Sequence, residues 1–335
     1  MSEIELIAKK IVENGKGILA TDESTGTMTK RLSSVNVEST PENRLKFRET
    51  LFSSESMMNY IGGVILYDET IKQKSTSGKS IPDLIKSYGS IPGIKVDTGA
   101  KKLAGSNEEK ITEGLDGLRE RLAEYYKLGA RFTKWRAVYD ISENHPSDLC
   151  ITANANALAR YSALVQEAKM VPIVEPEILM DGDHDINKCY EITSKVLKAC
   201  FKDLKIHNVN FKGIILKPNM ILPGNNSKNK NNSKEIAKMT VKCLKENVPQ
   251  DVPAIAFLSG GQTEIEATQN LNEINKVNST SFIMSFSYGR ALQQSALKNW
   301  SKDIKDIANT QKIFNLRSKM NSLSTSAKWS VDLEK

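Results

Sequence analysis

Short apolar runs alternate with amphipathic stretches along most of the chain. Each run spans four or five residues without alternation, which is typical of a strand that is buried on both faces. The stretches between them repeat their apolar residues at the spacing of a helix face. The pattern predicts strands over residues 17–20, 63–67, 93–96, 132–135, 171–174, 213–216, 254–258 and 282–286. The clearest predicted helices cover residues 111–127, 153–168, 186–204, 235–246 and 264–277.

This alternation predicts an α/β protein built from repeated strand–helix units. Eight units in about 250 residues favour a single (β/α)8 barrel, the TIM barrel, over two doubly wound domains. No glycine fingerprint for a dinucleotide follows the first strand, because Gly15 and Gly17 lie before or within it. We therefore predict one domain over residues 1–335, with the barrel at about 15–300 and a C-terminal tail at about 301–335.

Polar and charged residues stand at the ends of seven of the eight predicted strands. A single charge there is unremarkable, but barrel enzymes take their catalytic side chains from the C-terminal strand ends and the loops that follow. In a closed barrel these positions converge on one mouth. They are Asp22 to Ser24, Lys95 and Asp97, Lys134 and Arg136, Glu175 and Glu177, Lys217, Ser259 to Gly261, and Ser287 to Arg290.

Lys134 and Lys217 would face this mouth partly removed from water. Burial and neighbouring cations both disfavour an ammonium, so we expect lowered pKa values and a nucleophilic amine near neutral pH. Such an amine attacks a ketone, and the resulting iminium withdraws electrons so that the neighbouring C–C bond can break. Asp22, Glu175 and Glu177 supply carboxylates for the proton transfers. A ring of ion pairs without chemistry is the alternative that the spacing leaves open.

Glycine-bearing segments after the seventh and eighth predicted strands suit a phosphate group. Barrels often bind phosphate there through backbone N–H groups, and an arginine adds a charged fork. Plain turn chemistry for the glycines, and helix capping for the serine and threonine, are the alternatives. The candidates are Ser259, Gly260, Gly261, Ser287, Gly289 and Arg290 for one phosphate, and Ser24, Thr27, Arg31 and Lys95 for a second.

Composition narrows the choice of partners. The chain is 39% hydrophobic and 26% charged, and it has no run near the roughly 18 apolar residues that a membrane span needs. Its net charge is +7, but the lysines and arginines are dispersed and aromatic residues make up only 6%, which is atypical of nucleic-acid binding. Small phosphorylated ligands fit this charge better, and we expect neither a membrane nor a nucleic-acid partner.

The N-terminus and the cysteines both indicate a cytoplasmic protein. Acidic residues at positions 3 and 5 stand where a secretory signal carries bases, and no long apolar segment follows. Cys150, Cys189, Cys200 and Cys243 lie far apart without metal-type spacing, so we expect reduced, half-buried thiols.

Seven segments, in this order, closely resemble the signature segments of class I fructose-bisphosphate aldolase. The resemblance runs through about residues 15–300 and is highly specific as a set. It implies a metal-independent enzyme without a cofactor, which reversibly cleaves fructose 1,6-bisphosphate to dihydroxyacetone phosphate and glyceraldehyde 3-phosphate in glycolysis and gluconeogenesis. It also implies a homotetramer. The segments are GILATDESTG (17–26), GIKVD (93–97), FTKWR (132–136), VEPE (174–177), LKPNM (216–220), LSGGQ (258–262) and SYGR (287–290).

The resemblance also implies roles for individual residues. Lys217 would form the Schiff base, Glu175 would be the acid and base of imine formation, and Lys134 would be its electrostatic and proton-transfer partner. Asp22 would serve at the bond-breaking step, with the base role shared with Glu175. Ser259, Gly260, Gly289 and Arg290 would hold one phosphate, whereas Ser24, Thr27, Arg31, Lys95 and Arg136 would serve the other end of the substrate.

Three rival functions remain at this level. A zinc-dependent aldolase would need histidine ligands, and His145, His184 and His207 lack the spacing and strand-end placement. A Schiff-base aldolase for sugar monophosphates differs in the second phosphate site at residues 24–31. A catalytically inactive scaffold that binds polyanions would typically lose the nucleophile, which is present at Lys217.

Three further segments modify this picture. The acidic cluster 181–185 could suggest a cation site, but we favour a structural turn because it lacks a ligand ladder. The Asn/Lys-rich stretch 224–234 predicts a solvated loop before a helix, without a function of its own. Residues 329–335 lack the terminal tyrosine that completes the active site in animal members of the family, so the preference for bisphosphate over monophosphate stays open.

Overall fold

The computed structural model describes residues 1–106 and 108–335, and most of them lie in strands and helices. The strands are β1 (Gly17–Ala20), β2 (Ile61–Leu66), β3 (Ile91–Lys95), β4 (Ala100–Lys102), β5 (Lys110–Thr112), β6 (Phe132–Tyr139), β7 (Val171–Ile178), β8 (Ile215–Leu216), β9 (Ala254–Phe257) and β10 (Ile283–Tyr288).

The helices follow the strands in alternation. They are α1 (Glu3–Val12), α2 (Thr25–Ser33), α3 (Pro41–Phe52), α4 (Ser56–Asn59), α5 (Asp68–Ile71), α6 (Ile81–Ser87), α7 (Leu118–Lys127), α8 (Asp148–Glu167), α9 (Ile186–Ile206), α10 (Ser233–Asn247), α11 (Glu264–Val277), α12 (Arg290–Trp300) and α13 (Ile307–Ser324). Short 3-10 turns cover Glu13–Gly15, Phe211–Gly213 and Val331–Glu334.

The strands close into a (β/α)8 barrel, as the sequence predicted. Their order around the barrel is β1-β10-β9-β8-β7-β6-β3-β2, and every neighbouring pair in it is parallel. Parallel strands joined by helices place all their C-terminal ends on one side. On the opposite side, α1 contacts β1, β2, β7 and β9, and its buried face belongs to the same apolar cluster as the barrel interior.

Two separate apolar clusters explain how the strands carry charge without losing their packing. Side chains alternate between the two faces of a strand. Along β6, Phe132 joins the cluster inside the barrel, whereas Trp135 packs outward, with its ring centroid 5.4 Å from that of Tyr161 on α8. Lys134 follows Phe132 by two residues and therefore also faces inward. The interior is thus apolar near the strand starts and charged near the strand ends.

Several predicted boundaries were wrong, for this same reason. We expected β6 to end at Trp135 and β7 to end at Val174, but they continue through Arg136 and Glu177 to Tyr139 and Ile178. Ser287 likewise lies within β10 instead of after it. A charged side chain that points inward does not disturb the backbone hydrogen bonds between strands. Its charge is stabilised by the water or the oppositely charged groups at the barrel mouth.

The predicted helix over 111–127 was also wrong in its first part. Residues 110–112 form β5, which pairs antiparallel with β4. The helix begins only at Leu118, after Gly114 (φ +126°) and Gly117 (φ +61°). These positive φ angles are accessible to glycine and interrupt a helix. The hairpin of β4 and β5 lies at the barrel mouth, because Ala100 borders the main cavity there.

The four cysteines are free thiols and are fully buried, so the expectation of half-burial was wrong. Burial raises the pKa of the Cys189 and Cys200 thiols to about 12, which keeps them protonated and unreactive.

The C-terminal residues dock against α11 and α13. Arg317 binds the Glu334 carboxylate through two hydrogen bonds, Nη1 to Oε2 at 2.8 Å and Nη2 to Oε1 at 2.6 Å. Trp329 adds an indole hydrogen bond of 2.7 Å to the same carboxylate, and its backbone N–H donates to Asn272 Oδ1 at 3.0 Å. The Arg317 and Glu334 side chains are only 9% and 11% exposed, so this ion pair is largely shielded from water.

We expect Glu334→Gln to lower the free energy of unfolding by about 2–3 kcal/mol, because it leaves the buried Arg317 guanidinium without its charged partner. Urea unfolding measures this change. The matched control is Asp332→Asn, because Asp332 pairs with Lys335 while 76% exposed and should change the unfolding free energy by less than about 0.5 kcal/mol. Equal effects of the two substitutions would contradict a structural role for the Glu334 contact.

Candidate active site

Four charged side chains form a connected row in the barrel mouth. Lys217 Nζ lies 3.1 Å from Glu175 Oε1, and Glu175 Oε2 lies 3.5 Å from Lys134 Nζ. Lys134 Nζ in turn lies 2.6 Å from Asp22 Oδ2. Two lysines and two carboxylates thus alternate along one line, and all four side chains are nearly buried.

The strand register explains why these residues meet. Lys134 on β6 is in register with Lys95 on β3, and Arg136 on β6 is in register with Glu175 on β7. On the other side of β7, the Lys217 backbone N–H donates to Val174 O at 2.8 Å, which sets Lys217 beside Glu175. Inward side chains at one height of the barrel therefore become neighbours although they are far apart in sequence.

The electrostatics of this row keep its carboxylates ionised. Burial raises the pKa of Asp22, but the charges of Lys134 and Lys217 outweigh burial and lower this pKa to about 2. Burial likewise opposes the charges of the same two lysines at Glu175, and the net effect lowers its pKa.

The expected low pKa of Lys134 was wrong. Burial does lower it, but the negative charges of Asp22 and Glu175 outweigh burial and raise this pKa above its usual value. We expected a low value from the neighbouring cations and the loss of water, whereas two carboxylates lie at contact distance. Lys134 is therefore a permanent ammonium in this site.

The Lys134–Asp22 contact should make the stability of the fold depend on pH. A carboxyl whose pKa is lowered on folding contributes stability above its usual value near 3.8, and this contribution is lost as the pH falls towards about 2. Lys134→Met removes the cation from two buried carboxylates, so we expect a loss on the order of 3 kcal/mol at pH 7. In urea unfolding, the difference from wild type should shrink between pH 4 and pH 2.

The control for this prediction is Lys188→Met, because the Lys188 side chain is 41% exposed and pairs with Glu191 three residues along the same helix. We expect this control to cost less than about 1 kcal/mol. A Lys134→Met deficit that stays constant from pH 7 to pH 2 would show that the lost stability is unrelated to the carboxylates.

All sixteen candidate residues from the sequence border one cavity of about 1000 Å³ at this mouth. The structure thus brings the proposed catalytic and phosphate groups together, while their individual roles stay predictions. They are Asp22, Ser24, Thr27, Arg31, Lys95, Lys134, Arg136, Glu175, Glu177, Lys217, Ser259, Gly260, Gly261, Ser287, Gly289 and Arg290.

One end of the cavity is lined by the glycine-bearing loops. Gly260 (φ +37°) and Gly261 (φ +77°) turn the chain after β9. Gly289 precedes α12 without a side-chain cap, which leaves the N–H groups at the start of this helix available to an anion. The Ser287 hydroxyl is buried and has no hydrogen-bond partner among the described residues. These groups match a phosphate, which would supply the missing acceptors.

The other end of the cavity carries more charge. Ser24 caps α2 by accepting a hydrogen bond from the Thr27 N–H at 3.3 Å, as the alternative interpretation expected, yet both hydroxyls still border the cavity. Arg31 forms an ion pair with Glu23, while its Nε and Nη2 are buried without a partner among the described residues. Unpaired guanidinium donors in a cavity suit an oxygen-rich ligand.

Two supporting residues received no role from the sequence. Asp97 holds Lys95 Nζ at 2.6 Å and accepts from the Gly99 N–H at 3.1 Å. Gln293 accepts from Arg31 Nη1 at 3.3 Å and donates to Ala20 O at 2.6 Å. Glutamine at this position, three residues after Arg290, carries no pattern that would have identified it. The contact of Asp97 with Lys95 could have been predicted, because residues two apart in an extended segment face the same side.

The structure also bears on the rival functions. None of the three histidines borders the catalytic cavity. Across residues 1–106 and 108–335, no group of three histidine, cysteine, aspartate or glutamate side chains is arranged to hold a metal ion. Asp185 of the acidic cluster caps α9 by accepting from the Lys188 N–H at 2.8 Å. Within those same ranges, no helix combines the length and the apolar character that crossing a membrane requires.

Comparison with known proteins identifies what this arrangement resembles. A family model described as fructose-bisphosphate aldolase class-I matches residues 3–335. A probable fructose-bisphosphate aldolase class 1 from Xylella fastidiosa is 50% identical over 323 residues, covering 96% of this chain and 97% of that protein. The cytosolic fructose-bisphosphate aldolase 4 of Arabidopsis thaliana is 52% identical over 324 residues, covering 96% and 82%.

A solved structure agrees in fold over nearly the whole chain. It is the fructose-bisphosphate aldolase of Plasmodium falciparum, determined in complex with TRAP and a small-molecule inhibitor. It superimposes with a TM-score of 0.96 at 44% sequence identity, covering 98% of this chain and 95% of that chain.

Proposed function

Because the chain belongs to the class I fructose-bisphosphate aldolase family, whose members cleave fructose 1,6-bisphosphate reversibly through a lysine Schiff base without a metal, we propose that Lys217 is the residue that forms the imine. The observation that carries this assignment is the 3.1 Å contact between Lys217 Nζ and Glu175 Oε1 inside the cavity at the barrel mouth. A carboxylate at this distance can take the ammonium proton and release the amine.

Imine formation then needs Glu175 twice. The free amine attacks C2 of the ketose, and the proton taken from Lys217 passes from Glu175 to the carbonyl oxygen, which gives a carbinolamine. A second proton leaves the nitrogen for Glu175 and returns to the hydroxyl, which departs as water and leaves the iminium. The permanent ammonium of Lys134, 3.5 Å from Glu175 Oε2, stabilises the carboxylate between these steps.

Cleavage of the C3–C4 bond uses the iminium as the electron sink. Glu175 takes the proton of the C4 hydroxyl, a base role that Asp22, on the other side of Lys134, can share. The C3–C4 electrons form the enamine, and glyceraldehyde 3-phosphate leaves as the aldehyde. As the enamine forms, the positive charge on the nitrogen disappears and the pKa of the adjacent carboxyl rises, which favours the proton transfer. The proton that Glu175 holds then passes to C3, which restores the iminium, and addition of water releases dihydroxyacetone phosphate and the free Lys217 amine.

The two phosphates occupy opposite ends of the cavity in this proposal. The backbone of Gly260, Gly261 and Gly289, with the Ser259 and Ser287 hydroxyls and Arg290, binds the phosphate nearer the imine. The second group of polar side chains serves the other end of the substrate, and Glu177 holds the Arg136 guanidinium there through an ion pair. This second group is Ser24, Thr27, Arg31, Lys95 and Arg136.

The role of the second group is tested by Asp97→Asn. The substitution removes the charge that holds Lys95 Nζ at 2.6 Å, so we expect KM for fructose 1,6-bisphosphate to rise by about ten- to a hundredfold, the scale of a lost charged hydrogen bond. Fructose 1-phosphate lacks the second phosphate, and its KM should stay nearly unchanged. Equal increases for both substrates would indicate a general structural defect and would overturn this assignment.

The control for this test is Asp116→Asn. Asp116 is exposed and lies between β5 and α7. This substitution should change KM for neither substrate. The ratio of cleavage rates on the two sugars in the unmodified enzyme also measures its preference between bisphosphate and monophosphate.

The proposal extends to the assembly and its location. The family resemblance implies a homotetramer, which sedimentation of the purified protein would test. Two of the similar plant proteins are named as cytosolic or cytoplasmic, which supports a cytoplasmic location for this chain.

A further inference from the structure

A second cavity of about 520 Å³ lies behind the phosphate-binding loop. Gly260 and Gly261 border both cavities. The opposite wall is the Asn/Lys-rich loop, residues 225–233, for which the sequence indicated no function. Ligand sites typically measure about 300–1,000 Å³ and combine an apolar base with a few polar groups. The size and the position of this cavity are therefore those of a binding site.

The polar lining consists mainly of carboxamides. A carboxamide both donates and accepts hydrogen bonds, and so does a hydroxyl group. Asn225 makes no side-chain hydrogen bond within the described part of the chain, and Gln269 uses only its Nε2, which donates to Ser233 Oγ at 3.3 Å. The lining therefore offers both unused hydrogen-bond donors and unused hydrogen-bond acceptors. The carboxamides belong to Asn225, Asn231, Asn232, Gln262, Gln269 and Asn270.

The charges in this cavity do not favour an ion. Lys230 and Glu266 both border it and are opposite in sign. The Lys230 ammonium already donates to Asn225 O at 2.6 Å and to Gly224 O at 3.2 Å. Asn232 caps α10 by accepting from the Lys234 and Glu235 N–H groups, and Thr263 caps α11 by accepting from the Glu266 N–H. These N–H groups are therefore already paired. The cavity thus suits a neutral ligand.

The base of the cavity is apolar and the walls are held in place. Met180, Leu222 and Ile236 form the base and are at least nine-tenths buried. Gln262 braces one wall, since its Nε2 donates to Ser259 O at 2.8 Å and its Oε1 accepts from Asn270 Nδ2 at 2.7 Å. Apolar base and amide walls together match a ring with C–H groups on one face and hydroxyls at its edge.

We propose that this cavity is a separate, non-catalytic binding site for a neutral polyhydroxylated ligand, such as an unphosphorylated sugar. The site differs from the catalytic cavity in chemistry, because it has amides and balanced charges in place of the lysines and arginines that bind phosphates. Asn231 and Gln269 are surface members of its lining, so replacing them should leave the fold and the basal aldolase activity unchanged.

Saturation-transfer NMR with D-glucose as the probe tests this site. The protein is first treated with dihydroxyacetone phosphate and borohydride, which fills the catalytic cavity. We expect transfer to glucose to persist in this blocked protein and to weaken in Asn231→Leu and in Gln269→Leu, with loss in the double variant. Asn229→Leu is the matched control, because Asn229 lies in the same loop but does not border the cavity. It should keep the wild-type signal.

Three results would overturn the proposal: no transfer to glucose in the wild-type protein, transfer that disappears when the catalytic cavity is filled, or equal loss in Asn229→Leu and the double variant. Stronger transfer to glucose 6-phosphate than to glucose in the blocked protein would show an anion site instead and would also reject it. Failure of borohydride trapping counts against the proposed Schiff base alone, since the comparison between the loop variants does not depend on the catalytic cavity.

Discussion

Lys217→Met should abolish turnover of fructose 1,6-bisphosphate while leaving the fold intact. Methionine keeps the length of the buried side chain but has no amine, so neither the carbinolamine nor the iminium can form. We expect kcat to fall on the order of 10⁵-fold or more, the scale on which enzymes lose rate when a covalent nucleophile is removed. Steady-state cleavage assays measure the rate, and circular dichroism with thermal unfolding checks the fold.

Lys212→Met is the matched control, because Lys212 is 62% exposed and lies outside the catalytic cavity. It should retain wild-type kcat and KM. Turnover by the folded Lys217→Met protein within tenfold of the wild type would rule out Lys217 as the nucleophile.

Glu175→Gln should give the second largest loss. The amide has the same shape as the carboxyl but cannot take a proton from the Lys217 ammonium or from the C4 hydroxyl. We expect kcat to fall by about 10²–10⁴-fold, the usual contribution of a positioned acid or base. Trapping of the imine with borohydride should become slow but still occur on Lys217, since the nucleophile remains.

The comparison for this variant is Glu191→Gln, an exposed glutamate on α9 that pairs with Lys188. Its kcat should equal that of wild type. If Glu175→Gln lost less than threefold in kcat, the proton transfers would have to be assigned to another group, with Asp22 the nearest carboxylate beyond Lys134.

The barrel could be predicted because its pattern is local. Each apolar run reports a strand buried on both faces, and each amphipathic stretch reports a helix against it. The helix predicted at residues 264–277 agrees with the observed α11 at both ends, since Thr263 supplies a recognisable cap. The meeting of the candidate site residues followed from the same topology, because parallel strands deliver all their C-terminal ends to one mouth.

Most of the predictions that were wrong concern features set by contacts between residues that are distant in the sequence. The strands β6 and β7 continue past Trp135 and Val174, where we expected them to end, because Arg136 and Glu175 lie beside side chains of opposite charge on neighbouring strands. The sequence around each strand does not reveal these contacts. The raised pKa of Lys134 has the same origin, since Asp22 lies 112 positions earlier in the chain and yet 2.6 Å away. The hairpin β4–β5 was missed because short exposed strands carry little apolar signal.

The second cavity could not be predicted from the sequence either. The Asn/Lys-rich loop has the composition of a solvated connection, and only its position against Gly261 and α11 makes it a wall. The Asn225 carboxamide lies so close to Gly261 that a Cβ there would be 3.2 Å from Asn225 Oδ1.

The most direct test of the account is to identify the lysine that carries the substrate. Wild-type protein is incubated with dihydroxyacetone phosphate, reduced with borohydride and analysed by peptide mass spectrometry. We expect one reduced adduct per chain, on Lys217. An adduct on Lys134 or Lys95 instead, or full cleavage activity with no adduct on any lysine, would contradict it.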